Sequence, residues 1–120
     1  MIAVIFEVVP APGQRTRYLD IAASLKEQLQ SIPGFLSVER FQSLVDPNKI
    51  LSLSFWENEG AVIEWRNTVA HREAQTLGRK AVFADYRLRI ASVLRDYGMR
   101  DRAQAPTDSR EFHNKTAPTR

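Results

Sequence analysis

Apolar and polar residues alternate along several stretches of the chain and recur at steps of three and four along others, and the order of these stretches predicts the fold. From Met1 to Pro10, Ile2, Val4, Phe6 and Val8 take one parity and Ala3, Ile5, Glu7 and Val9 the other; this β-branched run reads as a strand covered on both faces, closed by Pro10 and Pro12. Tyr18, Ile21, Ala22, Leu25, Leu29 and Ile32 then recur at helical steps until Pro33-Gly34 stops them, which predicts a helix over 14–32. Phe35 to Val45 and Ile50 to Trp56 return to a period of two, and Asp46-Pro47-Asn48-Lys49 between them supplies turn chemistry, so the pair reads as a β-hairpin. Glu57-Asn58-Glu59 looks like a helix entry with Asn58 as its cap. Val62, Trp65 and Val69, then Ala70, Ala74, Leu77 and Ala81, carry a helical stripe that drifts near Asn67-Thr68, where a break between two short helices is expected, and Gly78 weakens the last turns. Tyr86 to Tyr97 alternates as a final strand.

The order β-α-β-β-α-β is the ferredoxin-like arrangement, an α+β fold with a four-stranded antiparallel sheet carrying its helices on one face. If the helices cover the parity of Val4, Leu53 and Leu88, the opposite face carries Ile5, Glu7, Ser52, Ser54, Trp56, Arg89 and Val93. That mixture is too apolar to leave wet and too polar for a plain core. Pairing the face with a second copy of itself solves the conflict, so a homodimer is expected. The arginines Arg87, Arg89 and Arg95 share a parity and read as a salt-bridged or solvated strand face. Residues 1–99 form the expected domain; 100–120, with Pro106, Pro118 and little apolar content, read as a polar tail, mobile or wrapping the partner subunit.

Composition narrows the chemistry. At 120 residues the chain allows one compact domain. Its formal charge of +3 is divided unevenly: residues 1–99 hold twelve basic and eleven acidic groups, residues 100–120 five and three. This balance, without aromatics interleaved among the strand arginines, points away from nucleic acid. There is no cysteine, so thiolate ligands, disulfides and cysteine nucleophiles are excluded. Ile2 to Phe6 is too short for a signal sequence core or a membrane span, and a cytoplasmic protein without a membrane partner is expected. The glycines at 13, 34, 60, 78 and 98 are too scattered for a phosphate-binding loop, and two histidines, His71 and His113, give little basis for a metal site.

The chemistry concentrates between Phe55 and Arg79, which holds both tryptophans, His71 and several amides and arginines. His71, Gln75, Gly78 and Arg79 fall on one helix face opposite Ala70, Ala74, Leu77 and Ala81. The solvated side of an amphipathic helix is the plain alternative for that face, and core anchoring is the plain alternative for Trp56 and Trp65. An imidazole titrating near neutrality can move a proton, but nothing in the sequence fixes a partner for its second nitrogen.

Ser54-Phe55-Trp56-Glu57, Ala61, Trp65, His71 with Ala74-Gln75, Gly78-Arg79 and a closing Arg95-Asp96-Tyr97-Gly98 resemble the second half of the antibiotic biosynthesis monooxygenase superfamily, and the whole of residues 1–98 resembles its dimeric α+β barrels. The resemblance implies two sheets facing each other across a dimer and a ligand pocket between sheet and second helix. It also implies either oxygenation of aromatic phenols and quinols by molecular oxygen without a prosthetic group, or haem degradation. The haem-degrading branch carries its iron-binding histidine ten residues after the tryptophan, where this chain has Gln75, and an asparagine in the first strand, which here reads Ile5-Phe6-Glu7. Both departures point away from haem, because an amide is a poor iron donor beside imidazole. The expectation is therefore a cofactor-independent monooxygenase of a small phenol or quinol. In it Trp56 and Trp65 wall the pocket, Asn67 and Gln75 bond a substrate oxygen, His71 transfers a proton and Arg79 stabilises negative charge. A non-catalytic dimeric barrel holding a small hydrophobic ligand stays open beside it.

Overall fold

A computed structural model describes residues 1–116, with side chains described through His113. The predicted order is found. Strand β1 (Ile2–Pro10) is followed by helices α1 (Arg15–Ser24) and α2 (Lys26–Ser31), strands β2 (Phe35–Gln42) and β3 (Ile50–Trp56), helices α3 (Glu59–Arg66) and α4 (Val69–Leu77), a π-helical turn over Gly78–Val82, strand β4 (Phe83–Ser92) and a short helix α5 (Thr107–Thr116). The four strands form one antiparallel sheet in the order β2-β3-β1-β4, the ferredoxin-like topology. No helix among the described residues is long and apolar enough to cross a membrane.

Local chemistry explains the breaks. The single helix expected over 14–32 is two, interrupted at Leu25. Gly34, at φ +92°, makes the left-handed turn into β2 that a side chain would resist. Asn58 caps α3 as expected, its Oδ1 accepting the Ala61 N–H at 2.9 Å. The drift at Asn67-Thr68 is a real break: Thr68 Oγ1 donates to the Trp65 carbonyl at 2.9 Å and accepts the His71 N–H at 3.2 Å, closing one helix and opening the next. The final strand begins earlier than expected, at Phe83, because the π-helical turn after Gly78 ends the helical path there.

One expectation is overturned. The register Val4↔Ser54 and Ile5↔Leu53 puts Ser52, Ser54 and Trp56 on the face of Val4 and Leu88, and Leu51, Leu53 and Phe55 on the outer face with Ile5, Glu7 and Arg89. The outer sheet face is therefore more apolar than the sequence pattern suggested. On it Arg89 donates to Glu7 Oε2 at 3.2 Å, the salt-bridged arrangement expected there, whereas Arg95 lies beyond the end of β4 at Ser92 and donates to the Gln104 carbonyl.

The helix-facing core falls into two clusters. Leu29, Trp56, Ala61, Val62 and Trp65 pack at one end of the sheet, and Val8, Tyr18, Ile50 and Val82 at the other. Between them β3 presents only the two serines of its inward parity, Ser52 and Ser54, where a plain core would have branched aliphatics.

Candidate functional site

That gap between the clusters is a cavity of about 210 Å³. Two transverse rows of the sheet make its floor: Arg40, Ser52, Phe6 and Leu88 in one, Val38, Ser54, Val4 and Ile90 in the next. Tyr18, Ile21, Ala22, Leu25 and Leu29 cover it from the first helical pair, and Val62, Trp65, His71, Ala74 and Gln75 from the second. Phe83 and Tyr86 close one wall, packed on Phe6 at ring separations of 5.7 Å each. A cavity of roughly 150 Å³ accepts benzene, so this one suits a substituted single ring or a body of that size.

The polar fittings are few and carry one sign of charge. Arg40 and Arg66 line the cavity, and no carboxylate does so among the described residues. Trp56, 2% exposed, commits its indole N–H to Ser54 Oγ at 2.9 Å, so it serves as wall and anchor at once. His71 has the partner that the sequence left open. Its Nδ1 lies 3.4 Å from the Arg66 carbonyl oxygen, which accepts a hydrogen bond when Nδ1 carries the proton and leaves the lone pair on Nε2. The imidazole also stands against the Trp65 ring, 5.2 Å between centroids. Burial pushes its pKa below the ordinary value; the bond to the Arg66 carbonyl works the other way, and the Arg66 charge adds to the lowering. The neutral, proton-accepting form is thus favoured. Tyr18 is pushed up, chiefly by burial, against the nearby Arg40 guanidinium, so its phenol stays a hydrogen-bond donor.

Of the residues singled out from sequence, Trp56, Trp65, His71 and Gln75 meet in this cavity. Asn67 and Arg79 are not among its lining residues. Asn67 ends α3 and accepts the Arg72 guanidinium at 2.6 Å, and Arg79 is exposed on the π-helical turn. Sequence reasoning missed Tyr18, Arg40, Arg66 and the two serines. Tyr18 was hidden inside an ordinary helical stripe. Arg40 carried a signal, a cation sharing the parity of Val38, that only the sheet register makes readable.

Comparison with known proteins agrees with this fold. The family model described as antibiotic biosynthesis monooxygenase matches residues 1–77. The jasmonate monooxygenase ABM of Pyricularia oryzae is 43% identical over 118 residues, 98% of this chain and 55% of that protein, so the chain spans about half the length of this relative. The uncharacterised protein YqjZ of Bacillus subtilis is 30% identical over 91 residues, 76% of this chain and 77% of its own. Among solved structures, Rv0793 of Mycobacterium tuberculosis superposes with a TM-score of 0.72 at 14% identity, covering 81% of this chain and 98% of that one. Another, described as an antibiotic biosynthesis monooxygenase, does so at 0.67 and 18% identity, covering 78% and 99%.

Proposed function

This chain belongs to the antibiotic biosynthesis monooxygenase family, and from that premise we propose that it oxidises a small aromatic phenol or quinol with molecular oxygen and without a prosthetic group. One observation carries the reading: an apolar cavity of single-ring size is lined by an imidazole whose Nδ1 stands 3.4 Å from the Arg66 carbonyl oxygen, and the tautomer with its proton on Nδ1 donates to that oxygen and leaves Nε2 as the base. His71 takes the phenolic proton. Arg66 and Gln75 favour the resulting oxyanion, the place first expected of Asn67 and Arg79, while Trp56 and Trp65 exclude water. In a substrate whose phenolic ring system bears a CH₂ carbon, as in the anthrone-like compounds, the electron-rich ring then activates that carbon towards oxygen. That carbon yields four electrons and two hydrogens, keeps one oxygen atom as a carbonyl, and the other leaves as water, so the substrate is its own reductant.

The site works in this reading within a homodimer, formed by burying the outer face of Ile5, Leu51, Leu53 and Phe55 against its copy. Oxygen uptake with quinols and anthrone-like compounds, corrected for autoxidation, tests the chemistry. His71→Ala is expected to lower kcat by about 100-fold or more, and inactivity of the wild type across the panel would reassign the protein as a binding barrel.

A second reading differs in substrate. The Pyricularia oryzae relative bears the name of a jasmonate monooxygenase, and a jasmonate is a carboxylate on a small apolar body, so jasmonic acid belongs in the same panel.

A further inference from the structure

The mechanism proposed above uses one side of the cavity, and the opposite edge of the sheet holds a group that it leaves idle. Arg40 stands on the edge strand β2, in the transverse row with Ser52 and Phe6. Its Nε is shut off from solvent and has no hydrogen-bond partner. Native proteins seldom leave a buried donor unbonded, and rarely a charged one, unless a missing molecule completes it. No acid is at hand to do so: none lines the cavity among the described residues, and the neighbouring Glu39 makes no ion pair with Arg40. The Tyr18 phenol oxygen accepts a hydrogen bond from the same guanidinium, away from the unbonded Nε, and burial keeps the phenol protonated, so its own O–H is left to donate to a ligand.

We propose that Arg40 and Tyr18 form a carboxylate-binding subsite at the β2 wall of the cavity, so that the ligand is a small apolar acid with its ring or chain between the two core clusters. A carboxylate, rather than a single-oxygen anion, matches the donors. The fork of Nε–H and one Nη–H presents two parallel hydrogens to two oxygens, and the Tyr18 hydroxyl supplies a third. The apolar floor of Phe6, Val4 and Leu88 accepts the rest of the molecule. The subsite rests on the cavity being the ligand site of the proposed monooxygenase, but it concerns recognition alone and needs no turnover.

The test is equilibrium binding followed by quenching of the cavity tryptophans, with 3-phenylpropanoate, its methyl ester and its primary amide as probes at neutral pH. The wild type is expected to bind the acid about tenfold or more tightly than either neutral analogue, the usual scale for a charge-assisted pair. Arg40→Gln abolishes that preference while leaving ester affinity within about twofold, Arg40→Lys keeps part of it, and Tyr18→Phe weakens the acid only. Equal affinity for acid and ester in the wild type, or binding of neither, overturns the subsite, as does an acid preference that survives Arg40→Gln. If Arg40→Gln fails to fold, the wild-type comparison and Tyr18→Phe decide. Failure of oxygen uptake with intact acid preference removes the oxygenase reading and leaves the subsite; quinol turnover without acid preference does the reverse.

Discussion

Replacing Gly78 by Ala offers a test in which the sign of the effect, and not only its size, separates two accounts of the cavity wall. Gly78 has helical angles, φ −57° and ψ −50°, and lines the cavity at the start of the π-helical turn. In an ordinary helix the change from Gly to Ala stabilises by about 0.5–1 kcal/mol. Here an added Cβ falls 2.5 Å from Phe83 Cζ and 3.0 Å from Cδ2, and closer still to Cε2. An ordinary carbon contact of roughly 3.5–4 Å requires the ring to retreat by about 1 Å. Phe83 is not free to do so at no cost: it packs edge-on against Phe6, Tyr18 and Tyr86, at 5.7, 5.9 and 5.8 Å between centroids. Overpacking of this kind costs about 1–3 kcal/mol, which outweighs the helical gain and leaves a net loss of about 1–2 kcal/mol. Gly78 and Phe83 both line the cavity, so a displaced ring reshapes the space that a ligand needs.

Urea denaturation of Gly78→Ala, Phe83→Leu and the double variant measures this directly. The single Ala variant is expected to lose about 1–2 kcal/mol, and the double variant to show a favourable coupling of about 1 kcal/mol as the ring is removed from the clash. Binding of 3-phenylpropanoate weakens in Gly78→Ala and recovers in the double variant. A Gly78→Ala protein more stable than wild type, with unchanged binding, would refute the account: Phe83 would then not be fixed, and the wall described here would be soft.

Three further outcomes follow from the same geometry. The His71 pKa is lower in the folded protein than the ordinary value of about 6.5, so the unfolded chain takes up the proton more readily; the His71 contribution to stability is whole above about pH 6.5 and is lost as pH falls towards the folded pKa. Urea midpoints near pH 7.5 and 5.5 (flanking the ordinary pKa of about 6.5) should fall more in the wild type than in His71→Gln, and an equal fall in both would disprove it. Ser52→Leu fills the gap between the core clusters, raising stability by about 1 kcal/mol through added apolar burial while abolishing probe binding; a variant that binds as before would show that the cavity lies elsewhere. Leu53→Arg sets a charge in the middle of the outer face and is expected to give monomers in sedimentation where the wild type gives dimers, whereas monomeric wild type would remove the proposed pairing.

Much of the fold was legible because its elements are locally consistent. The alternation in β1, the stop at Pro33-Gly34, the cap at Asn58 and the drift at Asn67-Thr68 each answer to a single residue type or period, and each appears where the pattern put it. The parity of β3 was not legible, and the reason lies in the cavity. Pattern reading sends leucines inward and serines outward, but in this strand the leucines face away from the helices and the serines line the cavity floor. A slip of one residue turns every side chain of a strand over, and the hairpin loop over 43–49, with the irregular pairing at Phe35/Ser37, left that register to tertiary packing.

The candidate site shows the same division between what a local period encodes and what only the assembled sheet reveals. His71 and Gln75 were found because one helical period relates them and sets them beside the tryptophans. Arg40 and Tyr18 meet only after β2 has crossed to the far side of β3 and α1 has folded back over it, a contact that no spacing along the chain encodes. The sequence therefore points to the half of the cavity suited to proton transfer and is silent on the half suited to recognition. A ligand chosen by that first half alone would be any phenol of the right size. The unbonded Arg40 Nε narrows the choice to one that also carries a carboxylate, which is why exchange of acid for ester, with every other atom of the probe unchanged, discriminates where a survey of ring shapes would not.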